Sequence, residues 1–185
     1  MKALAFGSQS VIYFDYRSVP MERPPPLVTP NISLFLSTIS RVDFFITYSA
    51  LPNEVPLTCV AFLKEMLDKK AAFLIPSDAS IHPETIVQEV RTRFLGKTGA
   101  IFLPGQKFDA TGTRHGRGGG WYDRFLSELA GSYLRIGILA QANLSSSVLV
   151  RKPWDQPVDW LIIQKDEEWQ LVETGARPLQ SRILL

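Results

Sequence analysis

The sequence predicts an α/β fold: a three-layer sandwich with a mostly parallel sheet flanked by helices. Compact apolar runs rich in β-branched and aromatic residues alternate with stretches whose apolar residues recur every three or four positions. Such alternation is what a largely parallel sheet covered on both faces produces. A chain of 185 residues that is 45% hydrophobic can fill one core and is short for two. The expected organisation is an irregular N-terminal segment over residues 1–30 and a single α/β domain over 31–185.

Pro24, Pro25 and Pro26 stop any helix within 21–30, which reads as an extended connector. Thr29 and Pro30 open a helix whose apolar face is Ile32, Phe35, Leu36 and Ile39. A buried strand over 42–48 follows, ended by Pro52 and Asn53. Val60, Leu63, Met66 and Leu67 mark a second helix, with Lys69 and Lys70 in its last turn where cations suit the dipole. The strand 71–75 leads to a third helix, which His82 caps, Pro83 opens and Gly96 closes, built on Ile86, Val87, Val90 and Phe94. Strand 100–103, helix 121–129, strands 134–139 and 158–163, and an edge strand over 169–172 complete the series.

Lys and Arg number 20 against 18 Asp and Glu, a net charge of +2 that is too small for a broad nucleic-acid-binding field. Cys59 is the one cysteine and lies in the apolar stretch 57–67; it is expected to be core, which fits a reducing, cytoplasmic setting. No run approaches the roughly 18 apolar residues of a membrane helix, so no membrane partner is expected. The serines at 145–147 lack histidine and aspartate partners at hydrolase spacing and read as a solvated turn.

The chemistry concentrates in 101–129, where a buried strand runs into a loop holding Gly112, Gly116, Gly118, Gly119 and Gly120. Backbone without Cβ atoms can turn successive N–H groups inward as an anion nest, and the positive end of the following helix adds to it. Arg114 and Arg117 can supply charge-assisted contacts to phosphoryl oxygens. The same composition would also suit a solvated surface loop. Neither a P-loop nor the dinucleotide fingerprint is present.

Taken together, Pro104, Gly105, Phe108, Asp109, Gly112, Arg114, Gly116, Gly118, Gly120, Trp121, Tyr122 and Asp123 resemble the signature of the 5-formyltetrahydrofolate cyclo-ligases, also called methenyltetrahydrofolate synthetases. YSALPNEV at 48–55 and WDQPVDWLII at 154–163 are similar to two further blocks of that family, in the same order. The resemblance implies a fold of the NagB/RpiA/CoA-transferase type. It implies ATP- and magnesium-dependent conversion of 5-formyltetrahydrofolate to 5,10-methenyltetrahydrofolate, with ATP and a reduced folate as partners. A monomer or weak homo-oligomer is expected.

By the same resemblance, ATP would be bound by Arg114, Gly116, Arg117, Gly118, Gly119, Gly120, Trp121 and Tyr122, with Arg114 and Arg117 catalytic. The folate would meet Glu54, Arg117, Gly118, Gly119, Gly120 and Trp121, and magnesium would meet Asp123 and Asp159. Structural roles stay open for the carboxylates: Asp123 as a helix-dipole partner, Asp159 as a turn residue, Glu54 as a solvated group. His115, Trp121 and Trp154 depart from the family pattern, and 1–30 lacks the family's basic opening helix. His115 reads as a loop group rather than a general base. Two alternatives therefore accompany the cyclo-ligase: a catalytically impaired nucleotide- or folate-binding homologue, and an ATP-dependent enzyme acting on another substrate.

Overall fold

A computed structural model describes residues 32–77, 80–129 and 133–177. The N-terminal segment and its proline connector lie outside the described residues. Helix α1 (Ile32–Ser40) leads into β1 (Phe44–Tyr48), and α2 (Ala61–Lys69) into β2 (Ala71–Ile75). Then come α3 (Pro83–Arg93), β3 (Gly99–Leu103), the two-residue strands β4 (Lys107–Phe108) and β5 (Arg114–His115), and α4 (Trp121–Glu128). The chain continues through β6 (Tyr133–Ala140), β7 (Trp160–Lys165) and β8 (Glu168–Glu173).

Six strands form one sheet in the order β2-β1-β3-β6-β7-β8, parallel throughout except for the antiparallel edge strand β8. Because strand side chains alternate faces, neighbouring residues enter opposite cores. Phe45, Phe102, Ile136 and Ile162 pack beneath α1 and α2, with Phe35, Ile39 and Leu63. Phe44, Ile101, Leu103 and Leu161 pack beneath α3 and α4, with Val90 and Phe125. The predicted three layers are thus present, and β3, with all five residues buried, lies at their centre.

Three expectations are corrected. Cys59 is exposed. It ends a single 3₁₀ turn, Leu57–Cys59, and in a three-residue repeat it is Leu57 and Val60 that share the inward side. Lys70 does not serve the end of α2. Its backbone is extended, and its ammonium reaches the carbonyls of Ser40, the last residue of α1, and of Val42 in the turn that follows. His82 stands at the position before Pro83, but its side chain makes no capping hydrogen bond.

The β4–β5 ribbon, which stands between β3 and the glycines, is not among the expected elements. Its turn is organised by Asp109, which is 1% exposed. One carboxylate oxygen accepts from the Thr111 and Thr113 amides and the Thr111 hydroxyl, and the other from the Leu149 amide at 2.7 Å. Burial opposes the charge, but these donors outweigh it and hold the carboxyl below its ordinary range. Gly112 belongs to this turn and not to an anion nest. Its φ is +82°, and a Cβ there would collide with the Val158 carbonyl.

Candidate functional site

A cavity of about 850 Å³ opens at the carboxyl ends of β1, β2 and β3. The strand order reverses beside β1, whose neighbours are β2 and β3. Open α/β sheets place ligands in this crevice, because diverging loops leave a cleft there. Ser49 and Glu54 line it after β1, Pro76 after β2, Gly105 after β3, and the 116–120 loop with the start of α4 closes another wall.

The loop keeps its donors free. Among the described residues no protein group accepts from the amides of Gly116, Arg117, Gly118, Gly119 or Gly120. Gly118 sits at φ +88°, a conformation that costs an L-residue, and nothing lies within 4 Å of where its Cβ would be. Arg124 ties the loop to the helix by donating to the Gly119 carbonyl at 2.9 Å. Gly120 is the residue before α4, so the helix's own unpaired amides begin at the same wall.

Arg114 lies beneath this loop, 5% exposed. It donates to Asp123 Oδ1 at 3.1 Å, and its guanidinium lies 5.4 Å from the Tyr122 ring centroid. Its Nε is buried without a partner among the described residues. A buried unpaired donor on a guanidinium costs free energy unless something answers it. Burial also pushes the Tyr122 phenol up, so it stays neutral across the physiological range.

Glu54 and Arg117 meet each other. Arg117 Nε lies 3.6 Å from Glu54 Oε1, and its Nη2 donates to the Pro52 carbonyl at 2.9 Å. Glu54 Oε2 accepts from the Leu51 amide at 2.9 Å, which closes the turn after β1. The pair therefore spans the cavity from the β1 loop to the glycine loop. Trp121 stacks on Phe125 at 5.3 Å between centroids and donates its indole N–H to the Ile81 carbonyl, so one of its faces is committed to packing. His115 borders the cavity with its Nε2 on the Val150 carbonyl at 2.9 Å.

Asp159 does not reach the cavity. It is 0% exposed, at the start of β7, where Arg177 grips both its oxygens at 2.9 and 2.5 Å and the Arg135 amide donates to it. The partner that holds it comes from beyond the matched sequence block. Of the two aspartates, Asp123 is the one that lines the cavity. Its hydrogen bonds, from Arg114 at 3.1 Å and from the Gln156 backbone amide at 3.0 Å, both fall on Oδ1. Among the described residues no three His, Cys, Asp or Glu side chains gather around one point. Magnesium is commonly held by one or two carboxylates together with substrate phosphates. Asp123 fits that demand, and Asp159, enclosed by Arg177, does not.

Sequence reasoning missed Arg124, Lys152, Asp155 and Gln156, all of which line the cavity. Gln156 was visible in WDQPVDW. It accepts from Arg135 through its side chain at 2.9 Å and donates through its backbone N–H to Asp123, linking a half-buried arginine to the cavity wall. Burial lowers the Arg135 pKa to about 10, still far enough up to keep it charged at neutral pH.

Comparison with known proteins adds three findings. Residues 67–164 match the model of the 5-formyltetrahydrofolate cyclo-ligase family. A protein from Mycoplasma genitalium named 5-formyltetrahydrofolate cyclo-ligase is 26% identical over 144 residues, 73% of this chain and 81% of that protein. A solved structure described as a 5,10-methenyltetrahydrofolate synthetase from Mycoplasma pneumoniae is 22% identical and superposes with a TM-score of 0.48, covering 72% of this chain and 79% of that one.

Proposed function

Because the chain belongs to the 5-formyltetrahydrofolate cyclo-ligase family, we propose that it closes 5-formyltetrahydrofolate to 5,10-methenyltetrahydrofolate with ATP and magnesium in the cavity beside β1. The observation that carries the reading is the convergence on one cavity of the 116–120 amides, which find no acceptor among the described residues, and of the Arg114 side chain. That combination suits a polyphosphate.

The chemistry asks for little else. A formyl amide is a poor electrophile, so its oxygen first takes the γ-phosphoryl group of ATP and ADP leaves. Nitrogen 10 then attacks the formyl carbon and gives up its proton. The carbon–oxygen bond breaks and inorganic phosphate departs as the ring closes. Phosphoryl transfer depends mainly on positioning and charge neutralisation. The loop amides would hold the phosphates, Arg114 would face the developing charge, and Asp123 would present an oxygen to magnesium. Bound there, the metal would supply neutralisation of the phosphoryl oxygens. Glu54 would accept from the folate once Arg117 turns to a ligand anion.

The last step motivates a second reading, in which the cavity binds nucleotide or folate without turnover, since Glu54 and Arg117 occupy each other. Purified protein with magnesium, ATP and 5-formyltetrahydrofolate distinguishes the two. The proposal expects the methenyl chromophore to accumulate with equimolar ADP. Binding of both ligands without chromophore selects the second reading, and ADP release only with a different formyl or carboxyl compound reassigns the substrate.

A further inference from the structure

Two tryptophans of the described chain are core: Trp160 is 1% exposed and Trp169 is 2% exposed. Trp154 is 63% exposed and lies at the mouth of the cavity, which Val150, 77% exposed, also lines. Single exposed apolar side chains are ordinary, but an indole is the costliest one to leave in water, and this one borders a cavity. A hydrogen-bonded turn presents this indole. The Lys152 amide donates to Asp155 Oδ2 at 2.7 Å, the Asp155 amide returns to the Lys152 carbonyl at 3.0 Å, and the Gln156 side chain donates to the Trp154 carbonyl at 3.3 Å. From the same turn the Lys152 ammonium lies 5.4 Å from the indole centroid.

We propose that Trp154, with Lys152 against its ring, is the platform on which a planar heteroaromatic ring of the ligand stacks at the cavity mouth. The proposal rests on the reading of this cavity given above. An indole face takes any flat π-system, and an adjacent ammonium favours a ring that carries anionic groups. Both expected ligands have that chemistry: a purine joined to phosphates, and a pterin joined to carboxylates. Gln156, two positions on, touches Asp123, so the platform and the anion-binding wall are joined by one short stretch of backbone. Trp121 is less suited to the role, because it is half-buried, stacked on Phe125 and held by its indole N–H to the Ile81 carbonyl.

Isothermal titration of the full chain tests the assignment with three probes: a non-hydrolysable ATP analogue with magnesium, 5-formyltetrahydrofolate, and inorganic tripolyphosphate with magnesium, which has no ring. Trp154→Ala is expected to weaken at least one ring-bearing probe about tenfold, to leave tripolyphosphate as it was, and to keep the melting temperature of the native chain. Trp154→Phe is expected to restore most of the loss. Weakening confined to the nucleotide identifies the purine as the stacked ring, and weakening confined to the folate identifies the pterin. The inference is overturned if Trp154→Ala binds both ring-bearing probes like the native chain, if tripolyphosphate weakens equally, or if phenylalanine restores nothing. A native chain that binds no probe would overturn the reading of the cavity itself, and the platform with it.

Discussion

The turn from Asp109 to Thr113 and the loop from Gly116 to Gly120 are separated by two residues and treat their polar groups in opposite ways. In the turn, a buried carboxylate collects four donors, and Arg151 ties both threonines from outside. In the loop, five successive amides find no protein acceptor among the described residues, and the side chains that could crowd them are almost absent. The first pattern makes a foundation, because every bond broken there leaves a buried group unanswered. The second suits the anion-binding role proposed for it, because donors without a protein acceptor are open to a ligand. Glycine serves both regions for different reasons: at Gly112 the backbone of another segment comes too close, while at Gly118 space is left open.

If this division is right, substitutions on the two sides should separate stability from binding. The largest effect is expected at Arg114, which lies under both regions. Arg114→Ala removes the guanidinium facing the loop and strips Asp123 of its cation. A charge-assisted contact is worth roughly 1.5–3 kcal/mol, so turnover should fall by about a hundredfold, with ATP affinity falling too. Steady-state kinetics at saturating folate would check this. Activity within threefold of native would mean that Arg114 supports the fold only.

Next comes Asp109→Asn. An amide cannot accept at both oxygen positions, so one of the Leu149, Thr111 or Thr113 amides would face a donor. Unfolding stability should drop by about 2–3 kcal/mol, while ligand affinity per folded molecule stays close to native. The pH dependence sharpens the test. The folded carboxyl is held below its ordinary value of about 3.9, so its contribution is full above that pH and is lost as the pH falls through the lowered folded value. Native protein should therefore shed this stability on acidification and the asparagine variant should not. Parallel acid limbs in denaturant melts of the two proteins would refute the assignment.

What the sequence could and could not tell follows the same physics. Strand and helix positions were readable because Pro83, Gly96 and the buried runs act locally, and boundaries shifted by only a residue or two. The β4–β5 ribbon was not readable, since two-residue strands carry no period. The turn that joins its strands does carry a signal: an aspartate with threonines two and four positions on favours side-chain turns onto the backbone, and Asp109, Thr111 and Thr113 have that spacing. Asp159 was misplaced because a motif fixes which residue is present, whereas its partner, Arg177, lies eighteen positions downstream. The glycine loop was legible as a loop without side chains, but the pairing of Glu54 with Arg117 needed two distant turns to be brought together in space.

The smaller effects are the most discriminating. Gly118→Ala forces a side chain into φ +88° and should cost about 1 kcal/mol through strain, weakening ATP analogues severalfold as the amides reorient. Gly119→Ala differs in kind. Its φ lies outside the left-handed region and its Cβ would meet nothing within 4 Å, so the protein alone has no reason to register it, and exposed changes of this sort usually stay within about 0.5 kcal/mol. Any loss of polyphosphate affinity in Gly119→Ala therefore measures the room an anion takes against the backbone, uncontaminated by folding. The expected result is an unchanged melting temperature with affinity for tripolyphosphate reduced about threefold, a modest change because one methyl group obstructs only one of five amides. Equal affinity in the two proteins would mean that the anion stops short of Gly119, leaving Arg114 and the start of α4 to hold it.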